Sequence, residues 1–170
     1  MTAVRVGIVV GSESDLPAMR RCGEVLSDYG IGWEIGVMSA HRAPDVVRAY
    51  AQSARDRGLR VLVAGAGAAA HLPGVLASLT ALPVIGVPLA ATPLAGFDAL
   101  LSIVQMPPGI PVATVAVGDM GARNAGHLAA RIIALEDADV ASASQRIRER
   151  MRDTEQLPEG FQPGAQTPTT

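Results

Sequence analysis

The sequence predicts an α/β three-layer sandwich built on a five-stranded parallel sheet, with strands in the flavodoxin-like order 2-1-3-4-5 and a peripheral C-terminal helix. Short apolar, β-branched runs alternate with longer stretches of helical periodicity, which is the pattern of βαβ units. The chain has 170 residues, of which 49% are hydrophobic, and this size suits one compact domain. Right-handed crossovers and short connections make this strand order the simplest one for five βα units.

The predicted elements alternate along the chain. The apolar runs predict five strands, at residues 4–10, 33–38, 60–64, 83–87 and 111–117. The segments between and after them predict five helices, at residues 16–29, 44–57, 73–80, 97–104 and 122–135. Ligands of such sheets bind beyond the carboxyl ends of the strands. The loops after strands 1, 2 and 3 should therefore form one site.

The C-terminal part of the chain has a different composition. Residues 140–154 predict a sixth helix with many arginines and few apolar positions, so this helix should lie on the surface or against a partner. Residues 157–170 are rich in proline, glycine and threonine and lack a core pattern. We therefore predict a single α/β nucleotide-binding catalytic domain at residues 1–156 and a flexible C-terminal tail at residues 157–170.

Composition and charge exclude several classes of function. No apolar run reaches the roughly 18 residues of a membrane span, and a strand-like run from Val4 leaves no room for a signal peptide. We therefore expect a cytoplasmic protein without membrane contact. A net charge of −2 without a basic block offers nucleic acid little to bind. The chain contains no lysine, which excludes Schiff-base chemistry on lysine and a Walker-type phosphate loop.

Potential metal ligands and thiol nucleophiles are few. The sequence has no cysteine–histidine cluster and no carboxylates at ligand spacing, so we expect no metal site. The single cysteine, Cys22, lies among helix-forming residues and is expected to be a buried packing residue, because a reactive thiol needs an accessible, electropositive setting. His127 lies within the fifth predicted helix between small and apolar residues and is expected to be structural.

The loop after strand 1 has the composition of an anion site. Residues 11–15 read Gly-Ser-Glu-Ser-Asp and open a helix. Free backbone N–H groups and hydroxyls at a helix N-terminus suit a phosphate. Asp15 would repel phosphate, so its functional role would be to accept hydrogen bonds from sugar hydroxyls. The alternative is that Ser12, Ser14 or Asp15 only caps the helix.

The loop after strand 2 carries the strongest chemical signal. Residues 39–44 read Ser-Ala-His-Arg-Ala-Pro at a strand-to-helix turn. Histidine exchanges a proton near neutral pH, and arginine binds a phosphate with two parallel donors. This favours His41 as a general acid/base and Arg42 as an anion contact. The alternative is a packing or capping histidine beside a solvated arginine.

The loop after strand 3 is rich in small residues. Residues 65–74 match the spacing of a dinucleotide fingerprint, but no acidic residue follows about 20 positions later, so we reject that interpretation. Small residues let a backbone approach a flat ring closely. Gly67 and Ala68, together with the apolar Leu72, are assigned to substrate binding, and His71 is assigned to the catalytic group. A purely structural role for His71 remains the alternative.

These three loops together resemble the PurE family of carboxyaminoimidazole ribonucleotide mutases. The resemblance continues through residues 98–107, which read Asp-Ala-Leu-Leu-Ser-Ile-Val-Gln-Met-Pro, through residues 109–114 and through Asn124-Ala125-Gly126, and it covers about residues 4–136. Several ordered motifs at matching spacing are more specific than any single glycine loop.

The resemblance implies an activity and the roles of individual residues. It implies conversion of N5-carboxyaminoimidazole ribonucleotide to 4-carboxy-5-aminoimidazole ribonucleotide without a cofactor. By the family's pattern Ser12, Asp15 and Arg42 bind the ribonucleotide, with Ser14 and Ser39 helping at the phosphate. The same pattern makes His41 the general acid/base. The family's assembly implies a homo-octamer with active sites near subunit contacts.

The chemistry of this reaction agrees with the loops. Cleavage of the N–carboxylate bond needs a proton at the departing nitrogen, and the released carbon dioxide must stay until ring carbon C4 attacks it. His41 would donate that proton and then remove the C4 proton, which returns the enzyme to its starting state. An apolar loop of alanines and glycines would hold carbon dioxide and exclude water.

Two positions depart from the family's pattern. Ala68 stands where the family commonly has glycine, and a left-handed backbone there would cost alanine roughly 1–2 kcal/mol. Residues 89–94 also look divergent, and the sequence assigns them no individual role.

Two other functions are compatible with the sequence. One is direct carboxylation of aminoimidazole ribonucleotide with free carbon dioxide, as in the second class of the family. The other is a non-catalytic nucleotide-binding or receiver-like module, because this fold serves many functions. A receiver needs an acidic cluster at the end of strand 1 and a phosphorylatable aspartate after strand 3, and the sequence has neither.

Overall fold

The computed structural model describes residues 3–153 and contains a five-stranded parallel sheet. Its strands are β1 (Val4–Val10), β2 (Gly32–Val37), β3 (Val61–Gly67), β4 (Val84–Leu89) and β5 (Ala113–Thr114). They lie in the order β2-β1-β3-β4-β5, and all pairs are parallel. The predicted strand order is thus confirmed. It places β1, β2 and β3 side by side, so the loops that follow them share one edge of the sheet.

Helices cover both faces of the sheet. A 3-10 turn (Glu13–Asp15) precedes the first helix, and the helices are α1 (Leu16–Asp28), α2 (Pro44–Ser53), α3 (Leu72–Leu79), α4 (Phe97–Val104), α5 (Gly118–Ile133) and α6 (Ala138–Asp153). Apolar residues of α1, α5 and α6 form one core with the sheet, and those of α2, α3 and α4 form the other. These two cores give the predicted three layers.

The two cores are fully buried at their centres. Ile8 of β1 and Ile85 of β4 have no exposed surface and pack towards α1 and α5. Leu62 of β3 and Leu76 of α3 are equally buried on the other face. The central strands are therefore apolar on both faces, as expected for a parallel sheet between helix layers.

Several element boundaries differ from the sequence prediction, including the end of α2, which lies at Ser53 and not at residue 57, and those of β3, β5 and α5. Strand β3 continues through Gly67 because residues 65–67 pair with β4, whereas the sequence suggested a loop there. Strand β5 is limited to two residues at the sheet edge, since only Ala113 and Thr114 pair with β4. Helix α5 begins at Gly118, four residues before the predicted start, because its first turn includes glycines that the sequence pattern assigned to a loop.

Helix α6 is partly incorporated into the core. Its residues Val140, Ala143 and Ile147 are buried against the α1–α5 side, while its arginines lie on the outer face. The predicted tail at residues 157–170 lies outside the described residues. Among residues 3–153 no helix is long and apolar enough to cross a membrane.

Candidate active site

The carboxyl ends of the central strands border a cavity of about 220 Å³. Nine of the ten predicted site residues line it or its rim, and the tenth, Arg42, reaches the same edge through a hydrogen bond. The lining residues that the sequence analysis had named are Ser12, Ser14, Asp15, Ser39, His41, Gly67, Ala68, His71 and Leu72. The fold therefore brings together residues that lie up to sixty positions apart in the chain.

The loop after β1 is shaped by its two serines. The Ser12 hydroxyl accepts a hydrogen bond from the Ser14 hydroxyl at 2.9 Å and a longer one from the Ser14 backbone N–H at 3.4 Å. Ser12 thus caps the 3-10 turn, and Asp15 makes no side-chain cap on α1. Burial raises the pKa of Asp15, although hydrogen bonds from Ser12 and Ser14 act in the opposite direction. Asp15 is half-buried and forms no salt bridge within residues 3–153, and such a carboxylate suits hydroxyl donors of a ligand.

The loop after β2 is connected to the loop after β1. The Ser39 hydroxyl accepts a hydrogen bond from the Arg42 backbone N–H at 3.3 Å, which shapes the turn before α2. The Arg42 guanidinium donates to the Gly11 carbonyl at 2.7 Å. Arg42 therefore joins the two loops and retains further donors for an anion, since a guanidinium carries five N–H groups.

Helix α2 is tied to β2 behind this loop. Glu34 of β2 accepts hydrogen bonds from the Tyr50 hydroxyl at 2.8 Å and from the Arg57 guanidinium at 2.6 Å. Burial acts to raise the pKa of Glu34, but these hydrogen bonds and the positive charge of Arg57 outweigh it, so the pKa is lowered. The Tyr50 contact holds α2, which begins two residues after Arg42, and the Arg57 contact holds the turn that follows this helix.

His41 and His71 meet at the mouth of the cavity. Nε2 of His41 lies 2.8 Å from Nδ1 of His71, and the two rings are nearly perpendicular, at 83°. Two imidazole nitrogens at this distance share one proton, because one must donate and the other accept. Both side chains are exposed, so a ligand in the cavity has access to them. The sequence indicated both residues but not their direct contact.

The small-residue loop after β3 has a strained backbone. Ala68 has φ = 53°, in the left-handed region where an L-residue is disfavoured. Ala68, which departs from the family's pattern, therefore has a left-handed backbone in this chain. Ala68 lines the cavity directly.

One side of the cavity comes from a loop that sequence reasoning missed. Ala91, between β4 and α4, lines the cavity beside Ala66 and Gly67. The signal available was topological, because β4 is the neighbour of β3 and its carboxyl end meets the same edge. An alanine in an irregular loop has no chemical signature of its own.

The remaining candidates are structural in position. Cys22 is fully buried, and burial raises the pKa of its thiol to about 12, so it has no thiolate character near neutral pH. His127 lies on α5, away from the cavity, with Nδ1 2.8 Å from the Tyr29 hydroxyl. All peptide bonds among residues 3–153 are trans, including those of the proline-rich connector at residues 106–111. No group of three or more potential metal ligands occurs in this part of the chain.

Comparison with protein families identifies this arrangement. The family model described as AIR carboxylase matches residues 5–154 of the chain. The chain belongs to the AIR carboxylase family. Apart from Val4, the family match spans all five strands and every loop of the cavity.

Relatives within the family are close. The N5-carboxyaminoimidazole ribonucleotide mutase of Thermotoga maritima is 53% identical over 148 residues, which is 87% of this chain and 85% of that protein. The protein of the same name from Bacillus subtilis is 50% identical over 149 residues, or 88% and 92% of the two chains. The crystal structure of Treponema denticola PurE superposes with a TM-score of 0.79 at 29% identity, covering 87% of this chain and 91% of that one.

Proposed function

We propose that this chain is an N5-carboxyaminoimidazole ribonucleotide mutase of purine biosynthesis. It isomerises N5-carboxyaminoimidazole ribonucleotide to 4-carboxy-5-aminoimidazole ribonucleotide. The observation that carries the proposal is the His41–His71 pair at 2.8 Å, at the mouth of a cavity that is apolar on its β3 side and polar on its β1 and β2 sides. Curated relatives of that name at about 50% identity support the same activity.

The histidine pair supplies the proton that the reaction needs. A proton goes from His41 to the departing nitrogen N5 as the bond from N5 to the carboxylate carbon breaks. The neutral imidazole then removes the proton from C4 after C4 has attacked carbon dioxide. His71 is a positioning residue in this scheme, because its hydrogen bond fixes the ring orientation and tautomer of His41.

The polar loops bind the rest of the substrate. Ser12, Ser14 and Ser39 offer hydroxyls at the cavity wall, and Arg42 offers a cation at the junction of the two loops. In the proposal these groups bind the phosphate. Asp15 accepts hydrogen bonds from the ribose hydroxyls, and Gly67, Ala68 and Leu72 lie against the imidazole ring.

The proposal includes a homo-octamer in the cytoplasm. Exposed apolar residues support association, because a row on the outer face of α4 and the loop before it has no cover within residues 3–153. These residues, with their exposed fractions, are Leu94 at 62%, Phe97 at 62%, Leu101 at 44% and Val104 at 49%. Sedimentation equilibrium should give eight times the chain mass, and Phe97→Glu should lower the assembled mass.

The test compares two substrates. Purified protein receives N5-carboxyaminoimidazole ribonucleotide in one assay, and aminoimidazole ribonucleotide with bicarbonate in the other. We expect efficient turnover only of the N5-carboxylated substrate, and none by the His41→Asn control. Preference for aminoimidazole ribonucleotide with carbon dioxide would instead assign the chain to direct carboxylation. Turnover of neither substrate would refute the proposed activity.

A further inference from the structure

The loop between β4 and α4 closes one side of the cavity. Ala91 of this loop lines the cavity. A Cβ atom at Gly67 would lie 2.5 Å from the Ala91 Cβ and 3.1 Å from the Leu89 carbonyl oxygen, so the loop presses directly on the end of β3. The Ala91 methyl group is therefore part of an apolar wall that continues from the small residues at the end of β3.

A hydrogen bond between Thr92 and Asp98 fixes this loop. The Thr92 hydroxyl donates to Oδ2 of Asp98 at 2.8 Å, and its oxygen accepts from the Leu94 backbone N–H at 3.1 Å. Asp98 lies in the first turn of α4, where the helix dipole favours a carboxylate. Its other oxygen, Oδ1, is buried and has no hydrogen-bond partner among residues 3–153. Thr92 is thus the side-chain partner of Asp98 in this part of the chain.

The loop does not hold its shape by backbone preference alone. Ala95 has φ = 52°, and Gly96 follows with φ = 86°. A left-handed alanine is disfavoured by its Cβ atom, so contacts around the loop must offset this strain. The Thr92–Asp98 hydrogen bond spans this strained segment and provides such a contact.

We infer that Thr92, through Asp98, is a positioning residue that holds Ala91 against the cavity so that carbon dioxide released in the reaction stays beside C4. The inference rests on the proposed function. Carbon dioxide carries no net charge, so apolar walls at close distance retain it better than a salt bridge would. The segment that diverges from the family's pattern thereby acquires a specific role in this chain.

The inference predicts a measurable leak. In a productive turnover the bond from N5 to the carboxylate carbon breaks, N5 gains a proton, the carbon bonds to C4, and C4 loses its proton. In a leak the same bond breaks and N5 gains a proton, but carbon dioxide leaves. The products are then aminoimidazole ribonucleotide and carbon dioxide, and one proton is taken from solvent. The ratio of aminoimidazole ribonucleotide to 4-carboxy-5-aminoimidazole ribonucleotide therefore reports how well the Ala91 wall retains carbon dioxide.

The experiment measures this ratio in Thr92→Val, which keeps the side-chain shape and removes the hydroxyl. Both products are quantified by chromatography, after subtraction of substrate decay without enzyme. We expect aminoimidazole ribonucleotide per turnover to rise by at least about two- to tenfold, the factor for one hydrogen bond, because the variant loses both the bond to Asp98 and the bond from the Leu94 backbone N–H. Addition of ¹³C-bicarbonate should increase labelled product in the same variant, because escaped carbon dioxide is replaced from solution.

Three further variants separate positioning from general damage. Thr92→Ser keeps the hydroxyl and should restore the wild-type ratio. Ala91→Gly removes the wall without touching the hydrogen bond and should also leak, which decides the question if Thr92→Val does not fold. Thr80→Val is the matched control, because the Thr80 hydroxyl also accepts from a backbone N–H in its own loop, at the amino end of β4, and its ratio should equal that of wild type.

The outcomes distinguish the two proposals. Wild-type turnover with unchanged ratios in both Thr92→Val and Ala91→Gly would overturn the role of Thr92 and leave the mutase activity intact. Absence of wild-type turnover would refute the mutase activity and, with it, this inference.

Discussion

All three histidines of this chain form hydrogen bonds to a second ring, yet the surroundings of His41 and His127 differ. His41 lies in an exposed loop at the carboxyl edge of the sheet and contacts another imidazole. His127 lies half-buried on a helix and contacts a phenol, Tyr29. Burial, and then the positive charge of Arg131, lower the pKa of His127. The contrast shows that a ring partner alone does not make a histidine a candidate proton carrier, because His127 borders a different cavity, away from the serines and Arg42 at the carboxyl edge of the sheet.

The largest expected effect separates the two histidines directly. His41→Asn should lower kcat by about 10²–10⁴-fold, because a general acid/base contributes that factor. His127→Asn should change kcat by less than about twofold, since the ring lies outside the cavity. Steady-state rates of both variants decide the matter. An equal loss of kcat in both variants would contradict the assignment of His41 as the proton carrier.

The second histidine of the pair should have a smaller effect. His71→Leu removes the hydrogen bond to His41 and should lower kcat by up to about 10²-fold, the loss typical of a misplaced catalytic group. KM should change little, because no substrate-binding group is removed. A kcat as low as that of His41→Asn would instead make His71 a direct proton carrier. Rates across pH, with His41→Asn alongside, separate these two results.

The strained backbone at the carboxyl edge predicts a gain in stability. Ala68→Gly should raise the free energy of unfolding by about 1 kcal/mol, because glycine adopts φ = 53° without a Cβ clash. Ala69→Gly is the matched control in the same loop; its φ is not positive, and the added chain entropy should lower stability by about 0.4–1 kcal/mol. Urea denaturation of both variants measures the difference. A free energy of unfolding lower than that of the wild type in Ala68→Gly would show that the backbone at this position is not strained.

The smallest effect is a pH dependence on the helix side. Because the folded chain lowers the pKa of His127, the unfolded chain binds a proton there at higher pH. The contribution of His127 to the free energy of unfolding is at its maximum above the ordinary histidine pKa of about 6.5. It is lost as the pH falls below that value. Asp28, Arg131 and Tyr29 all face this ring and modulate the slope. His127→Gln should flatten the stability profile between about pH 5 and 7, measured by thermal denaturation.

Sequence reasoning found the fold and most of the site, and its failures have physical causes. The strand order follows from alternating patterns and crossover rules, and polar residues after β1 and β2 were recognisable by type. Residues 65–67 were not predicted to belong to β3, because glycine and alanine have low strand propensity. Their extended conformation comes from pairing with β4. Ala91 was not predicted to line the cavity, because a methyl group carries no chemical signal in the sequence and its position depends on the fold. The His41–His71 distance depends on side-chain rotamers and on how α2 and α3 are placed.

The arrangement of β1 between β2 and β3 makes activity a sensitive reporter of folding. The cavity takes its walls from four loops that are far apart in sequence and adjacent only in the paired sheet. A chain in which a single central strand has not docked lacks one of these walls. During refolding, recovery of turnover should therefore never precede formation of the central sheet. Substrate, which binds only the folded chain, should shift the unfolding transition upward in proportion to the logarithm of its concentration once the site is saturated.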